Sequence, residues 1–205
     1  MDLVRGHSSA TLLEASGISI DVDPEIRSLW HGARLVGKAF TVQGSAGDNL
    51  ALHRGVAAAP EGSVIVADVS GAAFGHWGEV LAVAAQSRGL TGLLIDGGVR
   101  DAVEQEELGF PVFSRNNAIR GTRKDFAGVL GHPVTIGGIT VHTGDVIVGD
   151  VDGVVVLPAA KVEQILDAAD ARVAKEQDYM RRLRAGETSL EIYNFTARAD
   201  QPVAR

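Results

Sequence analysis

Apolar positions in the first half of the chain alternate between strand-like runs and helix-like spacing. Residues 34–43 alternate as in a half-buried strand, whereas Ser63–Asp68 and 93–95 are continuous apolar runs typical of strands covered on both faces. Segments with helical spacing, at 49–59 and about 77–88, separate these runs. This order predicts parallel strands joined by right-handed crossovers.

The pattern changes after residue 110. Short apolar runs separated by Gly, Asp and Thr predict hairpins, so the sheet should be mixed or there should be two sheets. The runs are 112–113, 134–136, 139–142, 146–148 and 154–157. A long helix should then extend from Pro158 to about Arg184. Residues spaced alternately by four and three form a stripe along one face of it, namely Val162, Leu166, Ala169, Val173, Glu176, Met180 and Leu183.

Composition predicts one globular α/β domain over residues 1–205. The chain is 45% hydrophobic, contains 25 glycines, and shows no linker-like segment. Its net charge of −7, without a Lys/Arg cluster outside 181–184, gives little support for nucleic-acid binding. The absence of cysteine excludes disulfides and thiolate metal sites. Residues 1–20 lack a continuous apolar core, and no run approaches the roughly 18 residues that span a bilayer, so we expect a cytoplasmic protein without a membrane partner.

The segment 92–101 is the strongest candidate for a functional site. A buried strand leads into Gly97 and Gly98, which permit a sharp turn or the close approach of a ligand. Arg100 and Asp101 then follow the carboxyl end of the strand, where open α/β sheets bind ligands. A purely structural alternative is equally open at this point. Asp101 could simply cap a helix over 101–108 that Gly109 ends.

Three further places could take part. The glycine-flanked turn at 75–81 precedes a helix, so its free N–H groups could hold an anion, although a plain turn with a packing histidine at His76 explains the same residues. Asp48 is expected to cap the helix over 49–59, so a substrate contact from Asn49 would be an additional claim. Glu176 is a carboxylate on an otherwise apolar stripe. It is either solvated at the edge or paired in a neighbouring subunit's site.

Two motifs together resemble a known family. Gly78-Glu79-Val80-Leu81 and Gly97-Gly98-Val99-Arg100-Asp101-Ala102-Val103-Glu104 look like those of the divalent-metal pyruvate aldolases that cleave 4-hydroxy-4-methyl-2-oxoglutarate and 4-carboxy-4-hydroxy-2-oxoadipate. These aldolases are grouped with the regulator of ribonuclease activity A proteins. The resemblance covers about residues 30–185 and includes 47–50, 144–145, 149–150 and the Lys175-Glu176 pair.

The resemblance implies both a fold and an assembly. The fold would be an α/β/β/α sandwich like the swivelling phosphohistidine domain, with mixed sheets and a long C-terminal helix. The assembly would be a homotrimer or homohexamer with sites between subunits. Asp101 would bind Mg²⁺ or Mn²⁺, Arg100 would lie beside the pyruvyl oxygen, and the backbone of Gly78, Glu79, Val80 and Leu81 would hold the carboxylate. Glu79 and Glu176 would surround metal-bound water.

The implied reaction releases pyruvate from a 4-hydroxy-2-oxo acid and also decarboxylates oxaloacetate. One aspartate suffices for magnesium, which keeps several waters, and the metal with Arg100 would stabilise the pyruvate enolate. The chain has four lysines, so a Schiff-base mechanism has few candidates. One alternative is a non-catalytic ribonuclease regulator, but the presence of both Asp101 and Glu79 favours an enzyme. The other is a methyltransferase, but the glycine-rich loop expected after the first strand of a methyl-donor site is not evident.

Overall fold

The computed structural model describes residues 3–195. The strands in this range are β1 (Arg27–Ser28), β2 (Leu35–Gln43), β3 (Ser63–Asp68), β4 (Gly92–Val99), β5 (Val112–Asn117), β6 (Val129–Leu130), β7 (Val134–Ile136), β8 (Ile139–Val141), β9 (Val146–Gly149) and β10 (Val154–Leu157). The helices are α1 (Ser9–Ser16), α2 (Leu50–Ala58), α3 (Glu79–Gln86), α4 (Ala102–Leu108), α5 (Val162–Arg184) and α6 (Ser189–Ile192). The predicted domain also includes 1–2 and 196–205, which lie outside the described residues.

One mixed sheet contains most of the strands. Its order is β1-β5-β4-β3-β2-β9-β10, with β6 paired to the end of β2. Strands β2 to β5 are parallel, as the strand–helix alternation predicts, and β9 and β10 form an antiparallel hairpin. The hairpin prediction was wrong for 112–113, because these residues begin β5, which pairs parallel to β4. Strands β7 and β8 form a separate antiparallel pair.

The main sheet curls into a nearly closed barrel. Gly149 of β9 faces Phe113 of β5 so closely that an added Cβ would lie 2.9 Å from the Phe113 ring. The segment before β2 links the two edges. Val22 N donates to Val154 O of β10 at 2.9 Å, and Leu29 N donates to Val112 O of β5 at 2.8 Å.

Three apolar clusters define the layers. Helices α2 and α3 cover one face of the parallel strands, the interior of the curled sheet is closed by β7 and β8, and α1 and α5 cover the outer face of β9 and β10. Strand β9 contributes to two of these layers because successive side chains of a strand point to opposite faces of the sheet. Ile147 faces the interior, while Val146 and Val148 face α1 and α5. Each fully buried aliphatic or aromatic side chain contributes about 1.5–3 kcal/mol. The layers confirm the α/β/β/α prediction.

Helix α3 begins two residues later than the apolar pattern predicts. Trp77 forms a parallel bridge with Val99 and stacks on Phe110 at 5.9 Å between ring centroids, so it belongs to the sheet side of the turn. Gly78 is therefore the residue immediately before the helix. This shift places the first turn of α3 directly beside the end of β4.

The stripe predicted along the last helix is buried only in its first half. Among its members Leu166 and Ala169 are buried, together with the neighbouring Ile165, whereas Met180 and Leu183 are exposed. In the part of the chain that the structure describes, no element buries Met180 or Leu183 at the end of this stripe. Within residues 3–195, α5 and the other helices are all too short or too polar to cross a bilayer.

Candidate functional site

A cavity of about 210 Å³ opens where β4 ends and α2 and α3 begin. This position at the carboxyl ends of parallel strands is the one predicted for Arg100 and Asp101. Pockets for drug-sized ligands are typically larger, about 300–1,000 Å³, so the cavity suits a small organic acid. Its lining consists of Asn49, His53, Gly75, His76, Gly78, Val80, Leu81, Arg100, Asp101 and Lys124.

The two glycines before Arg100 belong to β4 and do not form a turn. The expected sharp turn was therefore wrong, and the close approach of a ligand stays a prediction, but neighbouring protein atoms do require glycine at both positions. A Cβ on Gly98 would lie 2.5 Å from Phe74 O, and a Cβ on Gly97 would lie 2.1 Å from a Val69 methyl carbon. The β4–β5 register shifts between Ile95 and Gly98, so a bulge directs the last residues of the strand toward the cavity.

Asp101 has a left-handed backbone, with φ 58°. It occupies the N-cap position of α4, and Gly109 ends this helix, as predicted, but the Asp101 side chain makes no capping hydrogen bond to α4. Asp101 Oδ2 instead accepts a hydrogen bond from Glu79 N at 3.0 Å and lies 3.6 Å from Arg100 Nε. Asp is among the few non-glycine residues that adopt this backbone readily, and here it directs the carboxylate to the first turn of α3 and away from α4.

The first turn of α3 presents backbone donors to the same cavity. Glu79 N is used by Asp101, while Leu81 N and Ala82 N both donate to Gly78 O at 3.1 Å. Val80 N has no acceptor within residues 3–195. Because free N–H groups and the helix dipole favour negative charge, this turn is suited to a carboxylate. The Glu79 side chain is exposed and does not line the cavity.

His76 is fully buried and holds two loops together. Its Nε2 accepts from Gly47 N at 3.0 Å, so Nδ1 carries the proton and faces Gly98 O at 3.4 Å. Burial lowers the pKa of His76 despite the raising effect of the nearby Gly98 and Phe74 backbone carbonyls. The ring is therefore neutral at pH 7, and the packing interpretation of His76 is confirmed.

Asp48 ties the start of α2 to the loop at 118–128. Its two carboxylate oxygens accept from Leu50 N at 3.0 Å and Asp125 N at 2.7 Å. Burial alone would raise the pKa of Asp48, but these hydrogen bonds and one from Phe126 N outweigh burial and hold it below its usual value. The predicted link between Asp48 and the helix start is confirmed, although the N-cap residue is Asn49.

Asn49 contributes a buried acceptor to the cavity. Its Nδ2 donates to His76 O at 3.0 Å, whereas its Oδ1 has no hydrogen-bond partner within residues 3–195. The residue is only 8% exposed. A buried polar atom without a partner is costly, so Asn49 Oδ1 is suited to a ligand hydroxyl or water. The sequence alone gave no support for a substrate contact from Asn49 beyond the start of the helix.

Two residues in the lining, His53 and Lys124, were not predicted. His53 lies one turn after Asn49 on α2, so the spacing of four residues could have revealed it. Lys124 lies in the irregular loop at 118–128, where no periodic pattern exists. The pKa of His53 is lowered by burial and then by the positive charge of Lys124.

The chain's own Glu176 does not join this site. It lies on α5, in the layer that covers the outer face of β9 and β10, and is absent from the cavity lining. Its carboxylate is 40% exposed and pairs with Arg172 at 2.8 Å. A role in catalysis therefore requires the helix of another subunit.

The lining fits a hard divalent cation through few protein ligands. Residues 3–195 contain no group of three or more His, Asp or Glu side chains placed to hold a metal, so a closed protein cage is not formed. Asp101 has one carboxylate oxygen that accepts no hydrogen bond from this part of the chain. Magnesium commonly uses one or two carboxylates and completes its shell with water and substrate oxygens, so Asp101 fits its chemistry.

Comparisons with known proteins identify relatives of this chain. The family model described as "RraA-like: Aldolase/RraA" matches residues 9–156. A protein of Halalkalibacterium halodurans named "Putative 4-hydroxy-4-methyl-2-oxoglutarate aldolase" is 33% identical over 169 residues, which cover 82% of this chain and 80% of the relative.

Two solved structures are similar in fold and sequence. An "uncharacterized protein" from Pseudomonas syringae has a TM-score of 0.85 and 30% identity, with 95% of this chain and 92% of that chain covered. Streptomyces coelicolor RraAS2, described as an unusual member of the RNase ES inhibitor RraA protein family, has a TM-score of 0.75 and 31% identity, with 87% and 97% covered. The relatives therefore carry names of both aldolases and ribonuclease inhibitors.

Proposed function

The chain belongs to the RraA-like Aldolase/RraA family, and on that premise we propose that it is a divalent-metal-dependent pyruvate aldolase. Its substrate is a 4-hydroxy-2-oxo acid such as 4-hydroxy-4-methyl-2-oxoglutarate or 4-carboxy-4-hydroxy-2-oxoadipate. The observation that carries the proposal is Asp101, whose side chain does not cap its own helix and leaves one carboxylate oxygen without a hydrogen bond from residues 3–195, beside Arg100. The hydrogen bond from Glu79 N at the start of α3 accounts for Oδ2, whereas Oδ1 accepts no hydrogen bond from residues 3–195.

The substrate would bind through its 2-oxo acid end. The backbone of Gly78, Glu79, Val80 and Leu81 holds the 1-carboxylate, for which the free Val80 N–H and the α3 dipole provide attraction. Arg100 donates to the 2-oxo oxygen. Asp101 would hold Mg²⁺ or Mn²⁺, which supplies an electrophile for the oxygens of the 2-oxo acid when bound.

Cleavage breaks the C3–C4 bond of the substrate. The 4-hydroxyl loses its proton, its oxygen becomes the carbonyl of the released fragment, and the C3–C4 electron pair moves into the enolate of pyruvate. The guanidinium of Arg100 stabilises the negative charge that develops on the C2 oxygen. Protonation at C3 then gives pyruvate. Loss of carbon dioxide from oxaloacetate forms the same enolate, so decarboxylation is expected as well.

A base for the 4-hydroxyl proton must come from nearby carboxylates. We assign this role, directly or through water, to Glu79 at the start of α3 and to Glu176 from a neighbouring subunit of a homotrimer or homohexamer. Exposed apolar side chains near the cavity support such an assembly, because Val80 is 76% and Ile119 is 91% exposed in the single chain. Val103 and Phe126 are also exposed.

A non-catalytic regulator of ribonuclease is the second candidate. It is favoured by the likeness to RraAS2, which is 31% identical over most of both chains. The net charge of −7 speaks against direct binding of RNA, so a regulator would have to act on the ribonuclease itself. A regulator has no need of a free carboxylate oxygen on Asp101, which the aldolase would use as its metal ligand.

The test is pyruvate release from a set of 4-hydroxy-2-oxo acids, measured through lactate dehydrogenase and NADH. We expect release that EDTA abolishes and that excess Mg²⁺ or Mn²⁺ restores. Asp101→Asn is the matched control, since it keeps the size of the side chain and removes its charge. Failure to release pyruvate from any of these acids, or from oxaloacetate, with either metal would contradict the proposal.

A further inference from the structure

A second and larger cavity lies on the outer face of β2. Its volume is about 360 Å³, compared with about 210 Å³ for the cavity where β4 ends. This volume falls within the range typical of small-molecule sites. The lining consists of Leu3, Arg5, Lys38, Gly144, Val146, Ala159, Val162, Glu163 and Leu166. The two cavities share no lining residue, so they are separate sites.

The larger cavity exists because β2 passes from one helical layer to another. Alternate side chains of this strand face outward. Val36 packs in the layer of α1 and α5, whereas Phe40 packs in the layer of α2 and α3. Lys38 lies between them on the same face and is exposed, so neither layer covers it. A further cavity of about 200 Å³, lined in part by Lys38, Phe40 and Gly144, continues the gap on the other side of Lys38.

A buried carboxylate fixes the wall that Gly144 and Ala159 form. Asp145 is only 6% exposed, and its two oxygens accept hydrogen bonds from His142 N at 2.8 Å and Ala159 N at 2.9 Å. These bonds join the turn before β9 to the turn before α5. The wall is therefore part of the folded chain and does not depend on a ligand to form it, as is usual for small-molecule sites.

Lys38 is the cation of the lining that remains available to a ligand. Arg5 donates hydrogen bonds at 2.6 to 2.8 Å to three carboxylates of α5, those of Glu163, Asp167 and Asp170. Its positive charge is therefore offset within the chain. Lys38 forms no ion pair with any residue in the described range 3–195. An ammonium group at the side of a cavity favours a negatively charged group on the ligand.

The remaining lining is mostly apolar. Val146 and Leu166 are 3% and 2% exposed, and Leu3 and Val162 pack against the same apolar cluster. A ligand body that covers these side chains removes apolar surface from water, so it should itself be apolar. Glu163 also lines the cavity, and its charge would repel a second negative group on the ligand. The lining thus fits one anionic group and one apolar body.

We propose that this cavity binds a small monocarboxylate with an apolar body, such as a medium-chain fatty acid, and that the ligand carboxylate pairs with Lys38. The inference does not rest on the proposed aldolase function, because that function uses none of the residues that line this cavity. A second copy of the chain could cover the same gap instead. The experiment must therefore separate a small ligand from assembly.

Isothermal titration calorimetry compares octanoate with octan-1-ol, which has the same chain and no charge. Octanoate should bind one molecule per chain with a dissociation constant of about 1 mM or below. Lys38→Met keeps the apolar stem and removes the charge, so it should weaken octanoate about tenfold or more and change octanol less than twofold. The matched control Lys161→Met removes an exposed lysine that does not line the cavity and should change neither ligand.

A second variant tests the cavity itself. Ala159 is exposed and gives its buried partner Asp145 only a backbone N–H, so Ala159→Phe should fold, fill the cavity and weaken both ligands. Absence of octanoate binding in the wild type, or binding that either Lys38→Met or Ala159→Phe leaves unchanged, overturns the inference. Sedimentation velocity without ligand addresses assembly. A smaller particle for Lys38→Met or Ala159→Phe than for the wild type would show that a second copy covers the gap, and would likewise overturn it.

Discussion

The carboxylate of Asp101 accepts a hydrogen bond from the backbone N–H of Glu79, with 3.0 Å between Oδ2 and N. This bond joins the end of β4 to the first turn of α3, and it uses one oxygen of Asp101 while the other accepts no bond from residues 3–195. One contact therefore positions both the first turn of α3, which is the candidate carboxylate-binding backbone, and Asp101, which is the candidate metal ligand. Changes at either residue should affect both parts of the site.

Replacing Asp101 by Asn should separate metal binding from structure. Asn tolerates the left-handed backbone and keeps an acceptor for Glu79 N, so the free energy of unfolding should change by less than about 1 kcal/mol. Affinity for Mn²⁺, measured by isothermal titration calorimetry, should fall 100-fold or more, because a neutral amide is a poor ligand for a hard cation. Asp101→Ala should lose the hydrogen bond as well and be less stable than Asp101→Asn. Unchanged Mn²⁺ binding in Asp101→Asn would remove Asp101 as the ligand.

Replacing Gly78 by Ala tests the close approach of Asp101. The backbone of Gly78 is extended, with φ −156°, so alanine causes no backbone strain there. The added Cβ would instead lie 2.3 Å from Asp101 Oδ2, and the carboxylate would have to move. We expect a loss of kcat/KM of at least 100-fold with a smaller loss of stability. Gly121→Ala is the matched control, since nothing lies within 4 Å of its added Cβ. Equal activity of the two variants would refute this account of Gly78.

The neutral state of His76 predicts a pH dependence of stability. Its pKa in the folded protein lies below the ordinary value of 6.5, so the unfolded chain binds more protons in this range. Stability should be constant above about pH 7 and fall as the pH drops from 6.5 through the folded pKa, with a slope of at most about 1.4 kcal/mol per pH unit.

A variant isolates the share of His76 in this slope. His76→Gln keeps an acceptor for Gly47 N and does not titrate, so it should cost roughly 1–3 kcal/mol at pH 7 yet show a shallower slope. Urea denaturation at several pH values measures both quantities. The pKa of His53 is lowered too, so His53→Gln must be measured beside it. A slope that His76→Gln leaves unchanged would contradict the assignment.

Much of the fold follows from local pattern. The predicted strand at Ser63–Asp68 agrees with β3. Arg100 and Asp101 line the cavity, as predicted from their position after the carboxyl end of a buried parallel strand. The assignment of Trp77 to α3 was wrong, because the bridge between Trp77 and Val99 depends on the tertiary fold and leaves no local pattern in the sequence.

The rest of the site depends on long-range contacts that carry no periodic signal. Lys124 reaches the cavity because Asp48 binds the backbone of Asp125, a contact between residues 77 positions apart. The free acceptor of Asn49 becomes visible only when its amide nitrogen is seen to donate to His76 O. The exposure of Met180 and Leu183 in the second half of the α5 stripe likewise does not follow from the apolar spacing, which runs unbroken through both halves.

Mixed assemblies test whether Glu176 serves a neighbouring site. Asp101→Ala and Glu176→Ala proteins should each be weakly active alone, whereas a co-refolded equal mixture should recover activity. For random assortment around a closed ring, about a quarter of the sites combine an intact Asp101 with an intact Glu176. Native mass spectrometry confirms the exchange of subunits. A fully exchanged mixture that is no more active than its parents would show that Glu176 does not complete the site of another subunit.

The central claim is that Arg100 and a metal on Asp101 stabilise the enolate of pyruvate. Proton NMR of pyruvate in deuterium oxide measures this step directly, since enolate formation replaces the C3 protons by deuterium. We predict exchange with Mg²⁺ or Mn²⁺, none with EDTA or in Asp101→Asn, and at least 100-fold slower exchange in Arg100→Lys with Mn²⁺ affinity retained, because a point charge does not reproduce the planar guanidinium. Exchange that is independent of metal, or undetectable in the metal-loaded wild type, would contradict the claim.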